Sequence, residues 1–100
     1  MAKLVVSLAQ MNVALADVKK NTSMMEKWTA EAARRGSHLV LFPELWSTGC
    51  AWDQSKELAS TLNMGIFNDM SGAAAQNKIS LVGSVLEKRG LEVPNSAAFF

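Results

Sequence analysis

The sequence predicts an α/β domain, and three observations predict it. Two short apolar runs, Leu4 to Ala9 (LVVSLA) and His38 to Phe42 (HLVLF), lack the alternation of a half-exposed strand. Strands read this way when both of their faces are covered. Between the two runs, apolar residues recur at three- and four-residue steps, the period of an amphipathic helix. A third apolar run, Ser80 to Leu86 (SLVGSVL), follows a further helical stretch. Strand, helix and strand in alternation imply βαβ units and a parallel sheet.

The elements follow in order. A polar turn from Asn12 to Asp17 ends the first strand. Met24, Met25, Trp28 and Ala32 then form the apolar stripe of a helix of about four turns, with Glu26, Lys27, Glu31 and Arg34 on the opposite face. Either Asp17 or Asn21 supplies its N-terminal cap. Gly36 stops it, and Arg34 and Arg35 sit against the negative end of its dipole. The second strand runs from His38 to Phe42. Leu58, Ala59 and Leu62 share one face of a short helix from Ser55 to Leu62, and Asn63 caps a further helix through Ile66, Met70, Ala73 and Ala74. After the third strand the cluster Glu87-Lys88-Arg89-Gly90 turns the chain, and Asn95 to Phe100 begins a fourth strand. The sequence stops inside that apolar strand. This reads either as a domain finishing on an edge strand or as the front part of a longer domain.

Composition narrows the class. Of the 100 residues, 49% are hydrophobic and 19% charged, with a net charge of +1. That is a globular composition without a basic stripe, so no nucleic-acid footprint is expected. The apolar runs are too short to span a bilayer and the start lacks a signal-peptide pattern, so a cytoplasmic, soluble protein is the expectation. One cysteine, Cys50, and one histidine, His38, cannot build a disulfide or the usual four-ligand zinc site.

The residues with chemical potential collect in LVLFPELWSTGC, Leu39 to Cys50. In open α/β sheets, sites lie beyond the carboxyl ends of strands, and Glu44 sits two residues past the end of the second strand. Pro43 fixes its own φ and restricts Phe42, so the carboxylate is presented by a stiff segment. Apolar neighbours on both sides are expected to half-desolvate it and make it a stronger base at neutral pH. A plainer reading has Glu44 opening a short helix after Pro43. Cys50 has no local activating partner and reads as a small hydrophobe packed in a loop. His38, at the opposite end of the strand from Glu44, reads as a strand-entry residue near solvent. Gly83 allows a close approach to a neighbouring strand. Trp28, Met24 and Met25 read as core, while Trp46 and Trp52 either line a pocket or cover the end of the sheet.

The order of several segments resembles the carbon–nitrogen hydrolase (nitrilase) family. These are LAQMNV, the helix-opening Asp17 and Asn21, AARRGSHLVLFPEL, STG, LVGSVLEK and NSAAFF. The resemblance runs from Leu4 to Phe100, and the block from Ala32 to Gly49 is its most specific part. It implies that residues 1–100 are the N-terminal portion of a domain that is incomplete at its C-terminus. The implied fold is the first part of a four-layer αββα sandwich. The implied activity is hydrolysis of non-peptide carbon–nitrogen bonds through a Glu-Lys-Cys triad, with Glu44 as general base. The implied lysine and cysteine match no residue here, so the 100-residue piece alone is expected to be inactive.

Two positions depart from the family's pattern: Ala16 stands where Gly is common, and Cys50 where Tyr is common. Trp46 in PELWSTG looks most like the branch acting on ω-amides of dicarboxylic acids, such as α-ketoglutaramate. The resemblance further implies a small-molecule amide substrate, a homo-oligomer, and no metal or organic cofactor. The alternative reading is a non-catalytic α/β interaction module, or an inactive homologue, that binds a partner through an uncovered sheet face or edge.

Overall fold

The computed structural model describes residues 2–100. Four strands, Val6–Leu8 (β1), Leu39–Leu41 (β2), Ser80–Leu86 (β3) and Asn95–Phe99 (β4), form one sheet in the order β1-β2-β3-β4. β1 pairs parallel with β2 and β2 parallel with β3, while β3 pairs antiparallel with β4. Parallel neighbours need crossovers, and helices provide them. Val18–Arg34 (α1) lies between β1 and β2, and Ser55–Leu58 (α2) and Ile66–Asn77 (α3) lie between β2 and β3. The α/β class is as expected. β1 and β2 are shorter than their apolar runs, although ladder-type bonding continues past them. His38 N–H donates to Val5 O, Ala9 N–H to Leu41 O and Phe42 N–H to Val82 O, each at 2.8 Å.

Asp17, not Asn21, caps α1: its Oδ1 accepts from the Lys20 N–H at 3.1 Å. Gly36 stops the helix as expected. At φ +82° it occupies the left-handed region that a glycine enters without a Cβ penalty. Its N–H donates to Ala33 O and the Ser37 N–H to Ala32 O, both at 3.0 Å, which satisfies the last carbonyls of the helix.

Near that end, Arg34 and then Arg35 hydrogen-bond the Glu31 carboxylate and hold its pKa at about 2, below the ordinary 4.5. A carboxylate with a lowered folded value adds stability above its unfolded value. That stability is lost as pH falls from about 4.5 towards 2. Both arginines are exposed, so the effect is small. Melting temperatures of the parent and Glu31→Gln should differ at pH 6 and converge on acidification; an unchanged gap at pH 2 would refute the pairing.

α1 buries Asn21, Met25, Thr29 and Ala32. This stripe is rotated from the purely apolar one, because hydropathy counts neither Asn nor Thr as a core residue. Thr29 is accommodated by donating its hydroxyl to Met25 O at 2.7 Å. Trp28 consequently falls on the shoulder of the helix. It is 42% exposed beside edge strand β1 and is not core. Met24 is half-buried.

The expected helix from Ser55 to Leu62 ends at Leu58, and Leu62 is exposed. Beyond it, Ser60 joins the sheet margin: its N–H donates to Leu86 O at 3.1 Å and its carbonyl accepts from Lys88 N–H at 2.8 Å. The Ser60 hydroxyl also accepts from the Ile66 N–H at 3.2 Å. Ser60 therefore serves the start of α3 in the role expected of Asn63.

Met25, Val40, Phe67, Met70, Leu81 and Val85 pack together between the sheet and the pair α1 and α3. The opposite sheet face is open. Leu8, Leu41, Val82 and Phe99 stand in register across all four strands, with Leu8 65% and Phe99 69% exposed. The expectation that both faces are covered therefore holds on the helical side only. A contiguous apolar row of this kind is an association liability. The chain on its own is expected to self-associate and to bind a hydrophobic dye. A monodisperse monomer by light scattering, melting cooperatively, would contradict this.

Candidate functional site

Three segments meet at the carboxyl ends of β1, β2 and β3: the loop from Gln10 to Asp17, the turn from Pro43 to Gly49, and the last residues of β3. The turn is built by its sequence. Pro43 cannot donate to the ladder, so β2 ends. Leu45 then takes φ +50°, a left-handed conformation that costs a non-glycine residue about 1 kcal/mol or more. Such a conformation persists only where its surroundings over-determine it. Here the Thr48 and Gly49 N–H groups both donate to Leu45 O, at 3.2 and 2.7 Å, and the Leu45 N–H donates to Ser84 Oγ on β3 at 3.0 Å.

The reversal at Leu45 sends successive side chains to different places. Leu45, Trp46, Ser47 and Thr48 are all buried, whereas Glu44 is exposed. The half-desolvation expected of Glu44 is thus absent from this chain, because its apolar neighbours turn inward and away from it. Nor does Glu44 open a helix; it lies in a hydrogen-bonded turn. Beside the turn, a shallow depression is lined by Leu8, Ala9, Met11, Leu41, Phe42 and Pro43.

Trp46 is fully buried and stacks obliquely on Phe42, with ring centroids 5.8 Å apart. Gly83 makes room for it. A Cβ on Gly83 would lie 2.7 Å from Trp46 Cδ1 and 2.9 Å from Nε1. The close approach expected at Gly83 is real, but its partner is this indole and not a neighbouring strand. Trp52 is 56% exposed in a 3-10 turn, Trp52–Gln54.

Cys50 is exposed and not packed as a small hydrophobe. His38 lies near solvent as expected, its Nδ1 accepting from the Val5 N–H at 3.0 Å. Among the described residues no cluster of His, Cys, Asp or Glu is arranged to hold a metal, and no helix is long and apolar enough to cross a membrane.

Residues 5–100 match the model of the carbon-nitrogen hydrolase family. The chain belongs to that family. This carbon–nitrogen hydrolase chain is 31% identical over 96 residues to a nitrilase of Pyrococcus abyssi, covering 92% of its own length and 37% of the relative's. It is also 31% identical over 108 residues to the chloroplastic omega-amidase of Arabidopsis thaliana, covering 100% of its own length and 28% of the relative's. The chain thus spans about a third of the length of these two relatives.

Two solved structures share the fold of this carbon–nitrogen hydrolase chain. One is an amidase from Nesterenkonia sp. AN1 carrying acrylamide at its active-site cysteine, with TM-score 0.84 and 23% identity over 97% of this chain and 39% of that one. The other is a superfamily protein from Xanthomonas campestris with an arsenic adduct in its active site. Its TM-score is 0.84 at 20% identity, over 100% of this chain and 40% of that one.

Two buried polar residues of this chain are missed by the sequence reading, the first of them a builder of the site. Asn21 is fully buried. Its Oδ1 accepts from Ala14 N–H at 2.8 Å, and its Nδ2 donates to Ala14 O at 2.7 Å and to Ser47 O at 2.8 Å. It ties the loop after β1 to the turn after β2, and a direct bond from Ala16 N–H to Thr48 O at 2.7 Å reinforces the tie. The signal available in the sequence was an amide in line with Met25 and Thr29 at four-residue steps. The second is Glu87, expected in a solvated turn but 5% exposed. Hydrogen bonds from Arg89 Nη2 at 2.9 Å and Ser96 Oγ at 2.8 Å hold its carboxyl below the ordinary range.

Proposed function

We propose that this chain is the N-terminal part of a carbon–nitrogen hydrolase domain that cleaves small-molecule amides, with Glu44 as the general base of a Glu-Lys-Cys triad. The observation that carries this reading is the position of Glu44. The carboxylate of the F-P-E-L segment stands exposed at the carboxyl end of an interior strand, on a turn whose next four residues are buried. A group so placed is accessible to a reactant and held by a stiff backbone, as general-base catalysis requires.

In this reading Glu44 takes the proton of a cysteine thiol, and the thiolate attacks the amide carbonyl carbon. The protonated Glu44 gives that proton to the departing amine, leaving a thioester and a free Glu44 carboxylate. Glu44 next deprotonates the water that cleaves that thioester to the free acid. A lysine stabilises the oxyanion in both steps. The lysine and the cysteine belong to length outside these 100 residues. A base without nucleophile or oxyanion donor has nothing to activate, so the 100 residues alone are catalytically silent. The open row Leu8, Leu41, Val82 and Phe99 is the face on which the remaining layers of an αββα sandwich pack. The whole protein works as a cytoplasmic homo-oligomer without a metal or organic cofactor.

The ω-amide branch is favoured by Trp46 in PELWSTG and by the similarity to the Arabidopsis omega-amidase. The test is ammonia release by the full-length polypeptide from α-ketoglutaramate, simple aliphatic amides, nitriles and carbamoyl compounds. Fastest turnover of α-ketoglutaramate is expected; turnover of nitriles alone would overturn the amidase reading. In the same assay Cys50→Ser should stay within a few-fold of the parent, since Cys50 is an exposed loop residue. A substrate-protectable alkylation mapped to Cys50 would contradict that.

A further inference from the structure

We propose that Ser84 is a positioning residue for the Glu44 carboxylate, acting through the backbone of Leu45; the proposal rests on the base role given to Glu44 above. Leu45 is fully buried, so its N–H needs an acceptor. The sheet ladder does not supply one. The chain has left the β2–β3 ladder at Pro43, the last ladder-type bond being Phe42 N–H to Val82 O. Ser84 stands opposite Ala97 in a non-hydrogen-bonded pair, since Leu81 and Phe100 exchange the bonds and bonded pairs alternate along the strand, so Ser84 faces the β2 side. A side chain stands in: the Ser84 hydroxyl accepts from the Leu45 N–H at 3.0 Å, across 39 positions of sequence.

The bond falls at the one non-glycine residue of the turn with a left-handed backbone. Leu45 begins at the peptide that follows Glu44, so whatever fixes that peptide fixes the direction of the Glu44 Cα–Cβ bond. The neighbouring residue of β3 grips the neighbouring residue of the turn. Gly83, on the helical face, leaves a space that the Trp46 indole fills so closely that a Cβ there would come within 2.7 Å of it. Consecutive residues of β3, pointing to opposite faces, thus hold consecutive residues of the turn. Only the Ser84 bond depends on a single removable atom.

Without the hydroxyl oxygen, the Leu45 N–H is left unpaired in a buried place. The turn relieves this by letting Leu45 leave the left-handed region, which swings Glu44. Proton transfer is steep in position: a displacement of about 1 Å costs on the order of 100-fold in rate. Ser84 needs no contact with substrate for this.

The test is steady-state kinetics on amides with the full-length polypeptide, comparing the parent, Ser84→Ala, Ser84→Thr, Glu44→Gln and the double variant Ser84→Ala/Glu44→Gln, with thermal melts alongside. Ser84→Ala is expected to lower kcat roughly 10- to 100-fold with KM within about 3-fold, in line with that distance dependence. Threonine, which keeps an acceptor oxygen at the same place, should restore most of the rate. On the Glu44→Gln background, Ser84→Ala should lower the residual rate no further, because a residue acting through Glu44 has nothing left to act on. If the alanine variant fails to fold, Ser84→Cys, nearly the same shape but a poor acceptor, is read in the same way.

A parental kcat in Ser84→Ala beside an inactive Glu44→Gln overturns the role of Ser84 and leaves that of Glu44 intact. An equal loss on both backgrounds makes Ser84 merely structural and also overturns the proposal. Parental turnover by Glu44→Gln removes the base role, and the positioning role with it.

Discussion

Glu44→Gln in the full-length polypeptide is expected to lower amide turnover by several orders of magnitude while leaving fold and substrate binding close to those of the parent. The fold should survive because Glu44 is exposed and no side chain among the described residues hydrogen-bonds to it, so an amide of the same shape strands no partner. The chemistry should not survive. A carboxamide cannot accept the thiol proton, and general-base contributions alone amount to about 10²–10⁴-fold. Loss of the thiolate adds to this, since the neutral thiol is the weaker nucleophile. The same group is asked to act again on the hydrolytic water, so the acyl-enzyme would also be slow to clear. Ammonia release gives the overall rate, and a substrate titration gives KM. A variant turning over within tenfold of the parent would end the assignment of Glu44 as base.

The largest effect on stability is expected at Asn21. Asn21→Leu keeps the branching at Cγ, with bulkier methyls, and removes three hydrogen bonds at once, two to Ala14 and one to Ser47 O. Each backbone group left buried and unpaired costs about 1–3 kcal/mol, although water reaching the Ala14 groups returns part of this. A loss of about 3 kcal/mol follows, a large share of the 5–15 kcal/mol that holds a domain folded. The melting temperature should fall by more than 10 °C at about 4 °C or more per kcal/mol. Asn21→Asp separates the bonds from the bulk. It keeps the acceptor for Ala14 N–H but turns a carboxylate towards two carbonyl oxygens, so it should be destabilised at neutral pH and partly recover on acidification, when the protonated acid regains one donor. A drop of under 2 °C in Asn21→Leu would show that the two loops hold together without it.

How much of this was legible in the sequence depended on whether one residue's neighbours in the chain were also its neighbours in space. β3 was read to the residue, because a seven-residue apolar run bounded by Lys78 and Glu87 has one interpretation. Gly36 as the helix stop, and Asp17 as one of two candidate caps, are legible because caps act within a few residues. Trp28 was misread because its helical stripe was counted from apolar residues alone, whereas two of the four buried positions are Asn21 and Thr29. Glu44 is singled out by its motif, but its solvation is misjudged there. Flanking hydrophobic residues bury a carboxylate only if the chain runs straight, and the positive φ of Leu45 sends them the other way. The clamps on the turn were invisible for a different reason. Asn21 reaches Ser47 and Ser84 reaches Leu45 across 26 and 39 positions, and no local pattern encodes such a pairing.

The order of the strands has a consequence for how the chain is made. Because the sheet runs β1-β2-β3-β4, each strand after the first adds beside the one synthesised just before it, and none must be inserted between two already placed. On a ribosome the sheet can therefore grow at one edge in step with elongation, each parallel addition waiting only for its own crossover helix to emerge. The site's loops close in the same order, with Asn21 made before the turn it holds and Ser84 last. The bare row of Leu8, Leu41, Val82 and Phe99 is complete at the moment β4 docks, and from then on the nascent chain carries a greasy surface that a partner layer or a chaperone has to shield.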